Sequence, residues 1–301
     1  MKTIERILCS TDLTPASDEA LRYALGLARV FRAQVFVCHV VESESLTEET
    51  RERISREIDA AVSESARSAA LPEWTAIIAE GDAATVITRE AAARHADLIV
   101  MRSWHRSYTA TLLGSTAETV VHQAPCPALV THPREREWVG ADPGEIGLRR
   151  ILMAHDFSDD SEAALMFALS LACEFRATLH LLHVLPDEGA ALTESDFAQA
   201  ENELREALPE TVQGPGEIGC VVRSGIPWRE ILAFAEEHEI DLICLGFRGA
   251  GFARGELAGS NADQALRGAS CPVLIARPIK PASFVLAESR IESSSPDQLS
   301  L

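Results

Sequence analysis

Three glycines and a serine carry the strongest chemical signal in the chain. Gly246 is followed after two residues by Gly249, and after nine more by Gly259 and Ser260. An apolar run at 241–245 precedes them, and a helical pattern containing Asn261, Ala262, Asp263 and Ala265 follows. A glycine has no Cβ, so its backbone can come close to a phosphate oxygen. The start of the following helix offers unpaired N–H groups and the positive end of its dipole. Ser260 adds a hydroxyl donor, and Arg248 and Arg254 add positive charge to an acidic chain. The chemistry implied is the binding of a phosphate-bearing ligand; a merely structural turn is the alternative reading of the glycines.

The chain contains this region twice, and the first copy is altered. Residues 6–12 return as 150–156, 31–40 as 175–184 and 97–100 as 241–244, all at an offset of 144. Residues 113–115 return as 258–260 and 125–127 as 270–272, at an offset of 145. The first copy is therefore one residue shorter between positions 100 and 113. It keeps Asp12, Val40, Val41, Gly81, Gly114, Ser115 and Thr116, but Arg102 and His105 stand where the second copy has Gly246 and Gly249. Bulky side chains there block the approach of backbone to phosphate, so this half is expected to have lost that ligand. Arg102 and His105 can still attract an anion by charge, which leaves an altered pocket or a purely structural partner as alternatives.

Positioning such a loop needs a particular frame. In the first copy, strand-like apolar runs at 6–10, 34–41, 74–79, 96–101 and 128–131 alternate with helical patterns. Matching runs fall at 150–154, 178–185, 218–223, 241–245 and 273–276. Continuous apolar strands alternating with helices predict parallel βαβ units in a sheet covered on both faces. The period is too long for a solenoid unit and right for a domain. The fold class expected is therefore α/β, as two tandem doubly wound, Rossmann-like domains at 1–132 and 148–278. Residues 133–147 read as a polar linker and 279–301 as a disordered tail, of which 284–286 could dock on a domain. Ser45 and Thr47 are candidate helix caps, and Ser45 with Glu48 has capping-box spacing.

The formal net charge of -19 sets the chain against nucleic acid and anionic membranes, and no basic patch offsets it. Seven cysteines, an odd number scattered through strand-like runs, read as buried reduced thiols. No leader-like apolar segment opens the chain and no stretch reaches membrane-spanning length, so a cytoplasmic location is expected.

The spacing from Gly246 to Ser260 resembles the nucleotide-binding loop of the universal stress protein family. So do Asp156, Phe157 and Ser158 after strand one, His183 and Val184 closing strand two, Gly225 before the third helix, and the run 271–275. The resemblance covers both copies and leaves only linker and tail outside it. It implies a five-stranded parallel sheet per domain, with antiparallel pairing of the fifth strands, here between the two copies of one chain. It also implies ATP as the ligand. Carried over, Asp156 stands at the adenosine end and the backbone of Val184 meets adenine. Gly246 and Gly249 line the ribose and phosphates, and Gly259, Ser260 and Asn261 hold the phosphates. Leu245 and Arg248 belong to the same set. Val or Thr is more usual than Asn at 261. A Mg²⁺ or Mn²⁺ would be carried mainly by the phosphates.

Other constellations are weaker. Strand alternation separates His155 from Asp156, so a catalytic dyad is not expected. Neither a nucleophile elbow nor a Walker-type loop is present. His39, His105, His122 and His132 lack zinc-site spacing, and the recurrence of His39 as His183 suggests a shared structural role. Trp74, Trp104, Trp138 and Trp228 read as packing or surface aromatics. The function expected is an ATP-binding stress-response regulator, its site in the second domain and built as an intramolecular pseudo-dimer; two such chains could pair further. The alternatives are a slow ATPase using the same pocket and a nucleotide-independent interaction protein.

Overall fold

A computed structural model describes residues 4–43, 45–66, 70–103, 114–132, 137–140, 146–186, 192–209, 216–248 and 260–276. In the first half the order is β1 (Arg6–Ser10), α1 (Asp18–Phe31), β2 (Gln34–Val41), α2 (Glu48–Ala66), β3 (Trp74–Glu80), α3 (Ala83–Ala93), β4 (Leu98–Arg102), α4 (Ser115–Gln123) and β5 (Ala128–Thr131). The second half repeats it as β6 (Arg150–Ala154), α5 (Asp159–Phe175), β7 (Thr178–Pro186), α6 (Glu194–Glu206), β8 (Ile218–Gly225), α7 (Pro227–Glu237), β9 (Leu242–Gly246), α8 (Ser260–Gly268) and β10 (Val273–Ala276).

The strands form one ten-stranded sheet in the order β3-β2-β1-β4-β5-β10-β9-β6-β7-β8. Within each half all pairings are parallel, and β5 pairs antiparallel with β10. Each half is thus a doubly wound α/β unit, with its strand order reversing between β1 and β4 or between β6 and β9. The central strands read as unbroken apolar runs because both faces are covered. Alternate residues such as Ile7 and Cys9 belong to the core layer that also holds α1, α2, α5 and α6, whereas Leu8 belongs to the layer on the other face, with α3, α4, α7 and α8.

Equivalent residues meet where the halves join. Leu129 opposes Leu274, its counterpart at an offset of 145, at the centre of the β5–β10 register. The Phe31 and Phe175 rings, related by 144, stand 6.2 Å apart. Across α4 and α8, His122 Nε2 lies 3.8 Å from Asp263 and Arg267 lies 3.6 Å from Glu118; the two pairs are the same pair exchanged.

Part of the polar linker is packed. Trp138 is buried, meets Tyr23 edge-on at 4.7 Å and lies 6.4 Å from Phe175. The main-chain N–H of Trp138 donates to the Tyr23 hydroxyl at 3.2 Å, and Val139 bridges to Ile146. The expected box at Ser45 and Glu48 does not form; α2 starts at Glu48, and Thr47 caps it by accepting from the Thr50 N–H at 3.2 Å. A capping box does occur in the second half, between Thr193 and Asp196. Sequence expectations for Trp104, His105, Gly249, Arg254, Gly259 and the tail at 279–301 lie outside the described residues.

Candidate functional site

At the carboxyl edge of β6 the chain makes a tight turn. The Asp156 carboxylate accepts from the Ser158 N–H at 3.2 Å and its hydroxyl at 2.6 Å. Phe157 is left-handed, at φ 63°, as is its counterpart Leu13 at φ 60°. The Asp12 carboxylate holds Thr14 in the same way, at 3.0 and 2.6 Å. His183 and His39 both set Nδ1 against the main-chain carbonyl 28 residues before them, at 2.7 and 3.0 Å. Their repetition is thus structural: each ties strand two of its half to the turn after strand one. His155 and Asp156 do not form a dyad. His155 Nδ1 accepts from the Phe157 N–H, and burial pulls the imidazole pKa down to about 4.

Val184 on β7 and Leu245 and Gly246 on β9 reach the same edge of the sheet as Asp156, beside the β6–β9 switch. Ser260 opens α8, which leads back from that edge to β10, and Asn261 is exposed in its first turn. Gly246 has a packing reason to be glycine. A Cβ there would lie 2.6 Å from the Ser161 nitrogen and 2.7 Å from the Asp160 carbonyl carbon, both backbone of α5. The next residues are held to the same helix. The Arg248 N–H donates to the Asp160 carboxylate at 3.0 Å, and the Ser158 hydroxyl lies 3.0 Å from the Arg248 carbonyl. The bare side of Gly246 is therefore turned to protein, and the Arg248 N–H already serves an anion. The helix α8 starts at Ser260, next in the chain after the loop that Gly246 begins. Asp160 is the contributor that the sequence reading missed; it is the second residue of α5, and its partner lies 88 residues away.

The matching edge of the first half opens a cavity of about 700 Å³, bordered by Asp12, His39, Glu42, Ile87, Arg102 and Thr116 among others. Arg102, the residue in place of Gly246, does not reach into it as a bare cation. Its guanidinium pairs with Glu19 of α1, and both side chains are almost buried, at 12% and 8% exposed. Glu42 accepts from the Ala83 N–H at 3.1 Å, and Asp82 accepts from the Thr85 N–H at 2.9 Å. The hydroxyl and N–H of Thr85 hold the Asp82 carboxyl below its usual range. Two carboxylates thus already satisfy the start of α3. In the second half the corresponding residues are Pro186, Ile226 and Pro227, which offer neither the carboxylates nor the N–H. Glu19 and Glu42 were also missed by the sequence reading. The exchange of Glu42 and Ala83 for two prolines was the available signal.

None of the seven cysteines forms a disulfide; five are buried core thiols, and burial pushes the Cys38 thiol up to about 12, whereas Cys173 and Cys220 are partly exposed. Trp228 lies under the Arg229 guanidinium at 5.1 Å, at the start of α7. No group of three metal-ligating side chains occurs among the described residues, and none of the described helices is long and apolar enough to cross a membrane.

Comparison with known proteins agrees over both halves of the chain. The universal stress protein family model matches residues 3–132 and again 147–277. A universal stress protein of Methanocaldococcus jannaschii is 32% identical over 146 residues, covering 44% of this chain and 85% of that protein. One from Mycobacterium tuberculosis is 30% identical over 190 residues, covering 60% of this chain and 62% of the relative. The crystal structure of a universal stress protein from Archaeoglobus fulgidus superimposes with a TM-score of 0.66 at 25% identity, over 90% of this chain and 98% of that one. A doubly wound unit that occurs twice, with the family model matched on each repeat, makes this chain a member of the universal stress protein family.

Proposed function

We propose that the chain is an ATP-binding regulatory protein of the stress response, with the nucleotide held mainly by the second domain. The observation that carries this is the convergence of Asp156, Val184, Leu245 and Gly246 at the β6–β9 switch, with α8 starting from the same edge. Doubly wound sheets take ligands at that place. On this reading Asp156 and the Val184 backbone meet the nucleoside. Ser260 and Asn261, together with Gly249 and Gly259 before them, take the phosphates. Gly246 and Arg248 act at one remove, by anchoring the loop to α5. A Mg²⁺ or Mn²⁺ fits as a passenger of the phosphates, since no described acidic cluster is built to hold it.

The chain is read as two domains, 1–132 and 148–278, forming an intramolecular pseudo-dimer. The β5–β10 pairing and the exchanged pairs of α4 and α8 support this. Seven cysteines with no disulfide among them suit the cytoplasm. A binding role is favoured over turnover because His155, the titratable neighbour of Asp156, is neutral, buried and committed to a main-chain donor.

Titration calorimetry with magnesium-ATP on the full chain tests the reading. One ATP per chain is expected. Asn261→Asp, at an exposed position, sets a like charge against the phosphates and should weaken binding about tenfold. Absence of binding, or an unchanged isotherm in the variant, overturns the assignment.

A further inference from the structure

We propose that His122 of the first domain is a positioning residue for the second-domain site, tying the end of β9 to the first turn of α8. The inference rests on the nucleotide reading above for what that site holds, not for the contacts themselves. The antiparallel β5–β10 seam brings α4 and α8 into one layer, so a side chain near the end of α4 reaches the other half. The His122 ring stands edge-on to Phe247, with centroids 5.0 Å apart and planes at 81°. Its Nε2 lies 3.8 Å from an Asp263 carboxylate oxygen. Phe247 follows Gly246 directly, and Asp263 comes three residues after Ser260, so one imidazole touches both flanks of the site.

The charge contact is mirrored in the other half, and the ring contact is not. At an offset of 145, His122 corresponds to Arg267 and Asp263 to Glu118, which pair at 3.6 Å. Phe247 corresponds to Ser103. The Ser103 hydroxyl accepts from the Gly114 N–H at 3.5 Å, at the start of its own α4, and so serves within its own half. Phe247 instead is buried in the layer shared by α4 and α8, where its ring meets the first domain. The half that has lost its leading glycines thus still shapes the site of the other.

Two effects meet in this one side chain. The edge-on packing fixes Phe247, and with it the chain that leaves Gly246. The second effect is electrostatic. Burial pushes the Asp263 carboxyl above its usual range, His122 most strongly opposes that shift, Glu118 adds to it and Arg267 opposes it. A carboxylate in the first turn of the helix that takes the phosphates on this reading works against an anion. A neighbouring imidazole offsets that charge when it holds a proton.

Amide hydrogen exchange on the full chain without ligand tests the contacts, and calorimetry with magnesium-ATP tests their consequence. The Phe247 and Arg248 amides report directly, since they donate to the Ala276 carbonyl and the Asp160 carboxylate. His122→Ala should speed their exchange about tenfold and weaken ATP binding about fivefold. His122→Arg copies the mirrored residue and keeps a cation for Asp263 and a flat group for the Phe247 ring, so both readings should stay within about twofold of the parent. Glu118→Gln breaks the mirrored pair without touching Phe247 and should leave both unchanged. Exchange or ATP affinity that ignores His122→Ala, equal losses in Glu118→Gln, or no rescue by His122→Arg overturns the proposal. A parent chain that binds no ATP overturns the nucleotide reading, and exchange at Phe247 then decides alone whether His122 holds that edge.

Discussion

The ends of β4 and β9 are the same place in two copies of one fold, and they are built on opposite principles. At β9 the chain removes a side chain: Gly246 lets α5 come within a distance that no Cβ tolerates, and Asp160 and Ser158 then hold Arg248. At β4 it inserts one: Arg102 fills the gap, and its charge is balanced by Glu19 from the neighbouring helix. The α1 helix begins at Asp18, whereas α5 begins at Asp159, three positions earlier in the aligned register. The lesson is that a glycine lost from a loop is not simply a lost ligand contact. It changes which helix turn can approach the strand, and a new ion pair fills the space.

The largest test of that contrast is Arg102→Met. It would leave the Glu19 carboxylate buried without its cation, which costs roughly 3–5 kcal/mol for a pair this enclosed. Urea unfolding at pH 7 measures it. The double variant with Glu19→Gln should recover most of the loss. A change below about 1 kcal/mol would mean that the pair behaves as a solvated surface bridge.

A smaller effect is expected from the opposite end. Gly246→Ala should destabilise by roughly 2–3 kcal/mol, because the added methyl meets backbone and not a flexible side chain. The unfolding midpoint reads this with no ligand present. A neutral result would remove the packing role of Gly246 and return it to the ligand alone.

The two halves differ also in how they could be read from sequence. The strands, their parallel order and the duplicated design were legible because apolar runs alternate with helices and recur at a fixed offset. Asp156, Val184 and Leu245 were legible as strand-end residues, since a strand's terminus follows from its pattern. Partnerships across long separations were not. Nothing in the spacing of Asp160 and Arg248, or of Glu19 and Arg102, says that they touch; that depends on how closely a helix start lies on a strand end. The packed linker was hidden for a similar reason. Trp138 sits in a polar stretch, and only the groove containing Tyr23 and Phe175 makes it a core residue.

The smallest of these effects concerns His155, which stands where the first domain has Thr11. Thr11 shares a 2.8 Å hydrogen bond with Ser17 in a compact turn. His155 instead buries an imidazole beside His183 and Phe157, with its Nε2 left without a hydrogen-bond partner. Burial pulls its pKa from 6.5 to about 4, and Asp156 opposes the shift. Between those values the unfolded chain holds a proton that the folded chain refuses. Stability therefore falls as the pH drops through that window and levels off below pH 4. The loss attributable to this group from pH 7 to 4.5 is about 1–2 kcal/mol once solvent screening is allowed for. His155→Thr places the first-domain residue in the second and should flatten the dependence by that amount in parallel urea titrations. Equal slopes for parent and variant would show that the imidazole stays hydrated when folded, and that the two turns differ in shape but not in protonation.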